Sequence, residues 1–107
     1  MWIFLNNAFF SIVENRNDSS ELLVRSRIRE DLSNTFGLNH EIIEMEDSDY
    51  RFRMFLNREY VASVLLENAM NINYDNFKDS IPEEDEDRSY YYTRVWQVMH
   101  EWQTEQY

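Results

Sequence analysis

Cysteine is absent, and glycine and proline appear once each among 107 residues. Without cysteine there is no disulfide, no thiolate metal site and no cysteine nucleophile. The expected compartment is the reducing cytoplasm of a bacterium or of an infected host cell. The single glycine, Gly37, excludes a glycine-rich phosphate loop. Long apolar runs are also missing. The apolar start Met1-Trp2-Ile3-Phe4-Leu5 is too short to span a membrane, and it lacks the basic flank and small-residue cleavage site of a signal peptide. Positive charge is scarce: ten Lys and Arg stand against 21 Asp and Glu, for a net charge of -11.

What is present argues for a folded object. Hydrophobic residues make up 43% of the chain and aromatics 16%, whereas a disordered acidic tail would be aromatic-poor. The length fits one domain, residues 1–107, with a real but modest core. The acids are clustered. Glu30, Asp31, Glu41, Glu44, Glu46, Asp47 and Asp49 fall in a stretch without a base, and Glu83, Glu84, Asp85, Glu86 and Asp87 are contiguous. Such a field repels nucleic acid and anionic membrane and attracts basic protein surfaces. Lys78 is the only lysine. A base set made of arginine suits planar, bidentate pairing better than a solubilising coat.

The first half alternates with period two, the pattern of half-buried strands. Residues 2–5 and 8–14 are apolar runs around Asn6-Asn7, a pair that tolerates left-handed backbone and suits a two-residue hairpin. Residues 21–27 read as a third strand. Ile28, Leu32 and Phe36, spaced by four, predict a short helix stopped by Gly37. Residues 41–45 and 50–56 predict a second strand pair, with Tyr50, Phe52, Met54 and Leu56 inward and Arg51 and Arg53 outward. Asn57 is a good cap for a helix to Met70, its inward face formed by Val61, Val64, Leu65 and Ala69. Pro82 and the acids 83–87 read as an exposed linker. A last helix, residues 89–105, carries the stripe Tyr92, Val95, Trp96, Met99 and Trp102, whose spacing is that of a core face. The expected class is α+β: an antiparallel sheet of about five strands with helices on one face, ferredoxin-like with an extra N-terminal hairpin.

Candidate chemistry is sparse. Arg25 and Arg27 share one strand face, and Arg51 and Arg53 share another. Side by side they would form an anion-binding or nucleotide-binding cluster. The plainer expectation pairs them with Glu14, Glu21 and Glu44 on neighbouring strands. The acidic run lacks the spacing and glycine of a calcium loop, so no metal site is expected. His40 and His100 are isolated, no nucleophile elbow surrounds any serine, and no cofactor is implied. Tyr90-Tyr91-Tyr92 cannot all face inward. Tyr90 and Tyr91, with Arg94, are therefore candidates for a partner surface.

The words Met1-Trp2-Ile3-Phe4, Leu23-Val24-Arg25-Ser26-Arg27, Tyr50-Arg51-Phe52-Arg53, Ile72-Asn73-Tyr74-Asp75-Asn76-Phe77-Lys78-Asp79 and Val95-Trp96-Gln97-Val98-Met99 resemble a family of small uncharacterised bacterial proteins. The likeness spans nearly the whole chain. It implies a compact single domain and no established activity. This copy looks more acidic than the family type at residues 44–49 and 83–87, as a copy kept on a phage and turned toward a basic target would.

The expected function is that of a non-catalytic acidic module docking on a basic host protein, one that handles nucleic acid. The partner-binding candidates are Glu44, Glu46, Asp47, Asp49, Glu83, Glu84, Asp85, Glu86, Asp87, Tyr90 and Tyr91. Small, acidic, cysteine-free phage inhibitors of host defence, of the anti-CRISPR or anti-restriction type, share this look by composition. Direct nucleic-acid binding and membrane association are not expected. The alternative is an anion-binding domain or enzyme built on Arg25, Arg27, Arg51 and Arg53. Self-association through strand 2–5 or the tyrosines is opposed by like charge.

Overall fold

The computed structural model describes residues 1–107, which divide into two compact units, Met1–Ile72 and Asn73–Tyr107. The first unit holds a five-stranded sheet: β1 (Trp2–Leu5), β2 (Ala8–Glu14), β3 (Glu21–Ser26), β4 (Ile43–Glu44) and β5 (Phe52–Asn57). Helix α1 (Arg29–Phe36) follows β3 and helix α2 (Arg58–Met70) follows β5. The strand order is β1-β2-β3-β5-β4, and every neighbouring pair is antiparallel. The α+β class is therefore as the patterning indicated. β3 and β4 each run antiparallel to β5, so they are parallel to one another with β5 inserted between them. That is the split β-α-β unit of ferredoxin-like sheets. On the other side of β3 lies β2, from the N-terminal hairpin.

Alternation sends one residue set to the helices. Phe10, Ile12, Val24, Met54 and Leu56 pack with Leu32 and Phe36 of α1 and Val61 of α2 in one buried cluster. Each such side chain stabilises the fold by roughly 1.5–3 kcal/mol through apolar burial. Two buried polar side chains on the helix-facing side are paired. Ser26 Oγ donates to the Ile28 carbonyl at 2.6 Å, and Asp31 Oδ2 accepts from the Phe9 N–H at 3.0 Å, which ties α1 to β2.

The local signals act for identifiable reasons. Gly37 closes α1 with φ 88°, and its N–H donates to the Ser33 carbonyl at 2.9 Å. Asn57 caps α2, its Oδ1 accepting from the Glu59 N–H at 2.9 Å and the Tyr60 N–H at 3.3 Å. Tyr60 Oη then donates to the Phe36 carbonyl at 2.9 Å, at the end of α1. The β1–β2 hairpin turns at Asn6-Asn7 with Leu5 opposite Ala8, but not by the expected means. No residue other than glycine has positive φ, so the turn uses ordinary backbone. Two further expectations are corrected. β4 is only two residues long, because Met45 already belongs to the turn into Arg51, whose carbonyl accepts the Met45 N–H at 2.7 Å. Ala69 is exposed, because α2 packs through its first half and only Val61 is fully enclosed.

The second unit holds a 3-10 turn (Lys78–Ser80) and helix α3 (Glu86–Gln106). Its small core is aromatic. Phe77 stacks on Tyr92 with ring centroids 5.9 Å apart, Tyr74 lies 6.1 Å from Phe77, and Ile81 and Tyr92 are buried.

Candidate functional site

Helix α3 departs most from expectation. It begins at Glu86, three residues earlier than the spacing suggested, because the acid run starts it. Asp85 is its N-cap: Oδ1 accepts from the Arg88 N–H at 3.3 Å, and Oδ2 accepts from Arg88 Nε at 2.7 Å. Glu86 and Asp87 occupy the first turn, where the helix dipole favours negative charge. Part of the run is thus helix-initiating rather than an unstructured linker. Arg88 also reaches Tyr92, its Nη1 donating to the hydroxyl at 3.2 Å.

The stripe Val95, Trp96, Met99 and Trp102 was expected to be core. Only Tyr92 at its head is buried. Trp96 is 52% exposed, Met99 51% and Trp102 58%, with Val95 and Val98 exposed beside them. The spacing is that of a buried face, yet the side chains along it are exposed. From Tyr92 to Trp102 this stripe runs about 15 Å along the helix axis. Trp96 is the most organised of the set. His100 stacks on it at 5.0 Å with an 8° interplanar angle, and Lys78 Nζ lies 4.7 Å from its ring centroid. Tyr90 and Tyr91 are exposed and meet edge to face at 5.0 Å, with the Arg94 guanidinium 5.9 Å from the Tyr90 ring.

An open depression of about 720 Å³ lies in the same unit, lined in part by Glu83, Glu86, Ser89 and Tyr90. It brings three of the candidate partner-binding residues together. Glu84 and Asp87 are exposed. In the first unit the candidate acids divide by role. Arg51 takes Glu44, with Nη2 to Oε2 at 2.6 Å, and Glu46 at 3.3 Å. Their contact raises the Arg51 pKa, through the hydrogen bond to Glu44 first and charge second. Asp49 is exposed, and its Oδ1 accepts locally from the Tyr50 N–H at 2.9 Å. Asp47 is exposed. Glu44, Glu46 and Asp49 are therefore partly committed within the unit.

The arginine set also divides. Arg51 leaves it through Glu44 and Glu46. Arg25 and Arg53 stand directly opposite one another on β3 and β5. The expected cross-strand acids do not reach them. Arg25 Nη2 donates to Ser11 Oγ at 2.8 Å, Arg53 Nη2 to Ser48 Oγ at 2.8 Å, and Arg27 Nη1 to the Asp49 carbonyl at 2.6 Å. Glu14 pairs instead with Arg58, at 2.8 Å, and Glu21 accepts from Asn15.

No three of the acidic and histidine side chains cluster closely enough to hold a metal ion, and no helix is long and apolar enough to cross a membrane. His40 lies 5.3 Å from the Tyr60 ring. Comparison of the chain with protein-family models, with curated proteins and with solved structures finds no match.

Proposed function

We propose that the protein is a non-catalytic docking module whose working surface is helix α3. The observation that carries this reading is the exposure of Trp96, Met99 and Trp102, each more than half open, along one stripe of a 21-residue helix. Amphipathic helices seat such stripes in apolar grooves, and buried Trp and Tyr dominate the energy of interfaces. The acids supply the sign of the partner. Glu83, Glu84, Glu86 and Asp87 flank the tyrosine end of α3 on a chain of net charge -11. The complementary surface is an apolar groove rimmed by Lys and Arg. Proteins that handle nucleic acid carry such rims, and occupying one would inhibit its owner.

The test is retention of a basic protein from host lysate by the wild type and by two variants, with the affinity of the identified partner measured at several salt concentrations. Trp96→Ala with Trp102→Ala should weaken the complex at least 100-fold, as loss of two anchor residues does. Charge reversal of Glu83 and Glu84 should slow association and flatten the salt dependence. An affinity unmoved by the double tryptophan variant would refute the assignment of α3.

A further inference from the structure

The chain has twice as many acids as bases, yet Arg25, Arg27 and Arg53 on the sheet make no ion pair. Arg51 and Arg58 hold glutamates on the rim, whereas Arg25, Arg27 and Arg53 contact only hydroxyls, carbonyls and a ring. Arg25 and Arg53 are direct cross-strand neighbours, and Ser11 faces Arg25 from the other side, so a Ser-Arg-Arg row crosses β2, β3 and β5. Like charges placed directly opposite are destabilising in a sheet. They are held here by packing. The Arg25 and Arg27 guanidinium carbons lie 5.0 and 4.2 Å from the centroid of the Tyr50 ring, and Tyr50 is only 4% exposed.

The donors in this row are under-used. A guanidinium offers five N–H bonds. Arg25 makes one and Arg53 makes two, both from Nη2. The Nε atoms of Arg25 and Arg53 are shielded from water and have no acceptor. Ser11 Oγ accepts from Arg25 and keeps its own proton to donate. Asp49, at the rim, directs its carboxylate to the Tyr50 N–H and the Ser48 hydroxyl, and gives Arg27 its backbone carbonyl.

We infer that the Arg25–Arg53 row, with Arg27 and Ser11, is a binding site for a small phosphate-type oxyanion, inorganic phosphate or a phosphomonoester. Planar guanidinium forks match phosphate oxygens bidentately. Two facing arginines plus a third suit a dianion better than a single carboxylate. The net charge sets the size of the ligand: a nucleic acid would meet the whole negative field with many phosphates, whereas a small oxyanion meets it with one. The bound anion would relieve the Arg25–Arg53 repulsion and so stabilise the fold. This site is independent of α3 and of the docking reading.

The experiment titrates inorganic phosphate into the ¹⁵N-labelled protein and follows the arginine side-chain N–H resonances, with thermal unfolding in parallel. Chloride at matched ionic strength is the control. Saturable shifts of the Arg25 and Arg53 Nε–H signals are expected. Tm should rise by about 5 °C when phosphate is tenfold above its Kd. Arg53→Gln should abolish both responses, and Arg58→Gln should leave both intact. The spectra of the wild type decide the question even if Arg53→Gln fails to fold. Absence of a saturable shift overturns the inference. So does a Tm rise that persists in Arg53→Gln, which is general stabilisation by an excluded anion. A response to an oligonucleotide but not to phosphate also overturns it.

Discussion

Replacing Asp85 with alanine should loosen the first turn of α3 while leaving the sheet untouched. Asp85 performs two tasks. Its Oδ1 accepts the Arg88 N–H at 3.3 Å, and its Oδ2 holds Arg88 Nε at 2.7 Å. The capping bond contributes about 1 kcal/mol. The ion pair joins side chains 11% and 34% exposed, and partial screening by solvent leaves it worth roughly 1 kcal/mol more. Together these make about 2 kcal/mol, or a roughly 30-fold increase in the equilibrium for opening the turn. The assay is amide hydrogen exchange resolved to single residues. Protection at residues 89–92 should fall by about that factor, while protection in β3 and β5 stays constant. Asp85→Asn keeps an acceptor and loses the charge, so its effect should be about half as large in kcal/mol, since Asn caps as well as Asp. Asp87→Ala removes an exposed first-turn acid without a cap and should cost no more than about 0.5 kcal/mol. Equal effects from Asp85→Ala and Asp87→Ala would refute the capping argument and reduce the run to simple charge.

Other consequences follow from the same geometry. Met54→Ala, at a fully buried position between β3 and the helices, should lower stability by about 2–5 kcal/mol in urea unfolding. Gly37→Ala should cost about 1–2 kcal/mol in the same assay, and from backbone strain alone, because φ is 88° and an added Cβ meets nothing within 4 Å. The Asp18 carboxyl lies below its ordinary pKa because Ser20 donates to it from both hydroxyl, at 2.6 Å, and N–H, at 3.0 Å. A depressed carboxyl gives stability that is present above its unfolded pKa and lost as pH falls through the folded value. Ser20→Ala should therefore raise the Asp18 pKa in a carboxyl ¹³C NMR titration, and an unmoved value would contradict the assignment.

Much of the fold was legible because local and tertiary preferences agree. Period-two alternation placed Val24, Met54 and Leu56 on one face, and Asn57 and Gly37 marked helix ends by the hydrogen bonds and dihedral they supply. The site was legible only in part. Spacing identified the apolar stripe of α3 but is silent on what covers it, so Trp96 and Trp102 read as core. A usable signal lay beside the stripe: Tyr91 and Val98 are apolar residues off its line, more than one buried face can take. The arginine row failed differently. Register could be guessed, and Arg25 does meet Arg53. Which acid reaches which arginine depends on side-chain reach across strand ends, and Glu14 goes to Arg58. In the sequence the acid run reads as one charged object. The backbone uses Asp85 as a cap and leaves Glu83 and Glu84 to the surface.

The most direct test of the central claim is site-specific photo-crosslinking from α3 in host lysate, with the crosslinker placed at Val98, exposed beside Trp102, and, as a control, at Asn17 in the exposed β2–β3 turn. The docking account predicts one basic protein captured from position 98, not from position 17, and lost when Trp96 and Trp102 are both alanine. Capture from both positions alike, or capture that survives the tryptophan substitutions, would contradict it.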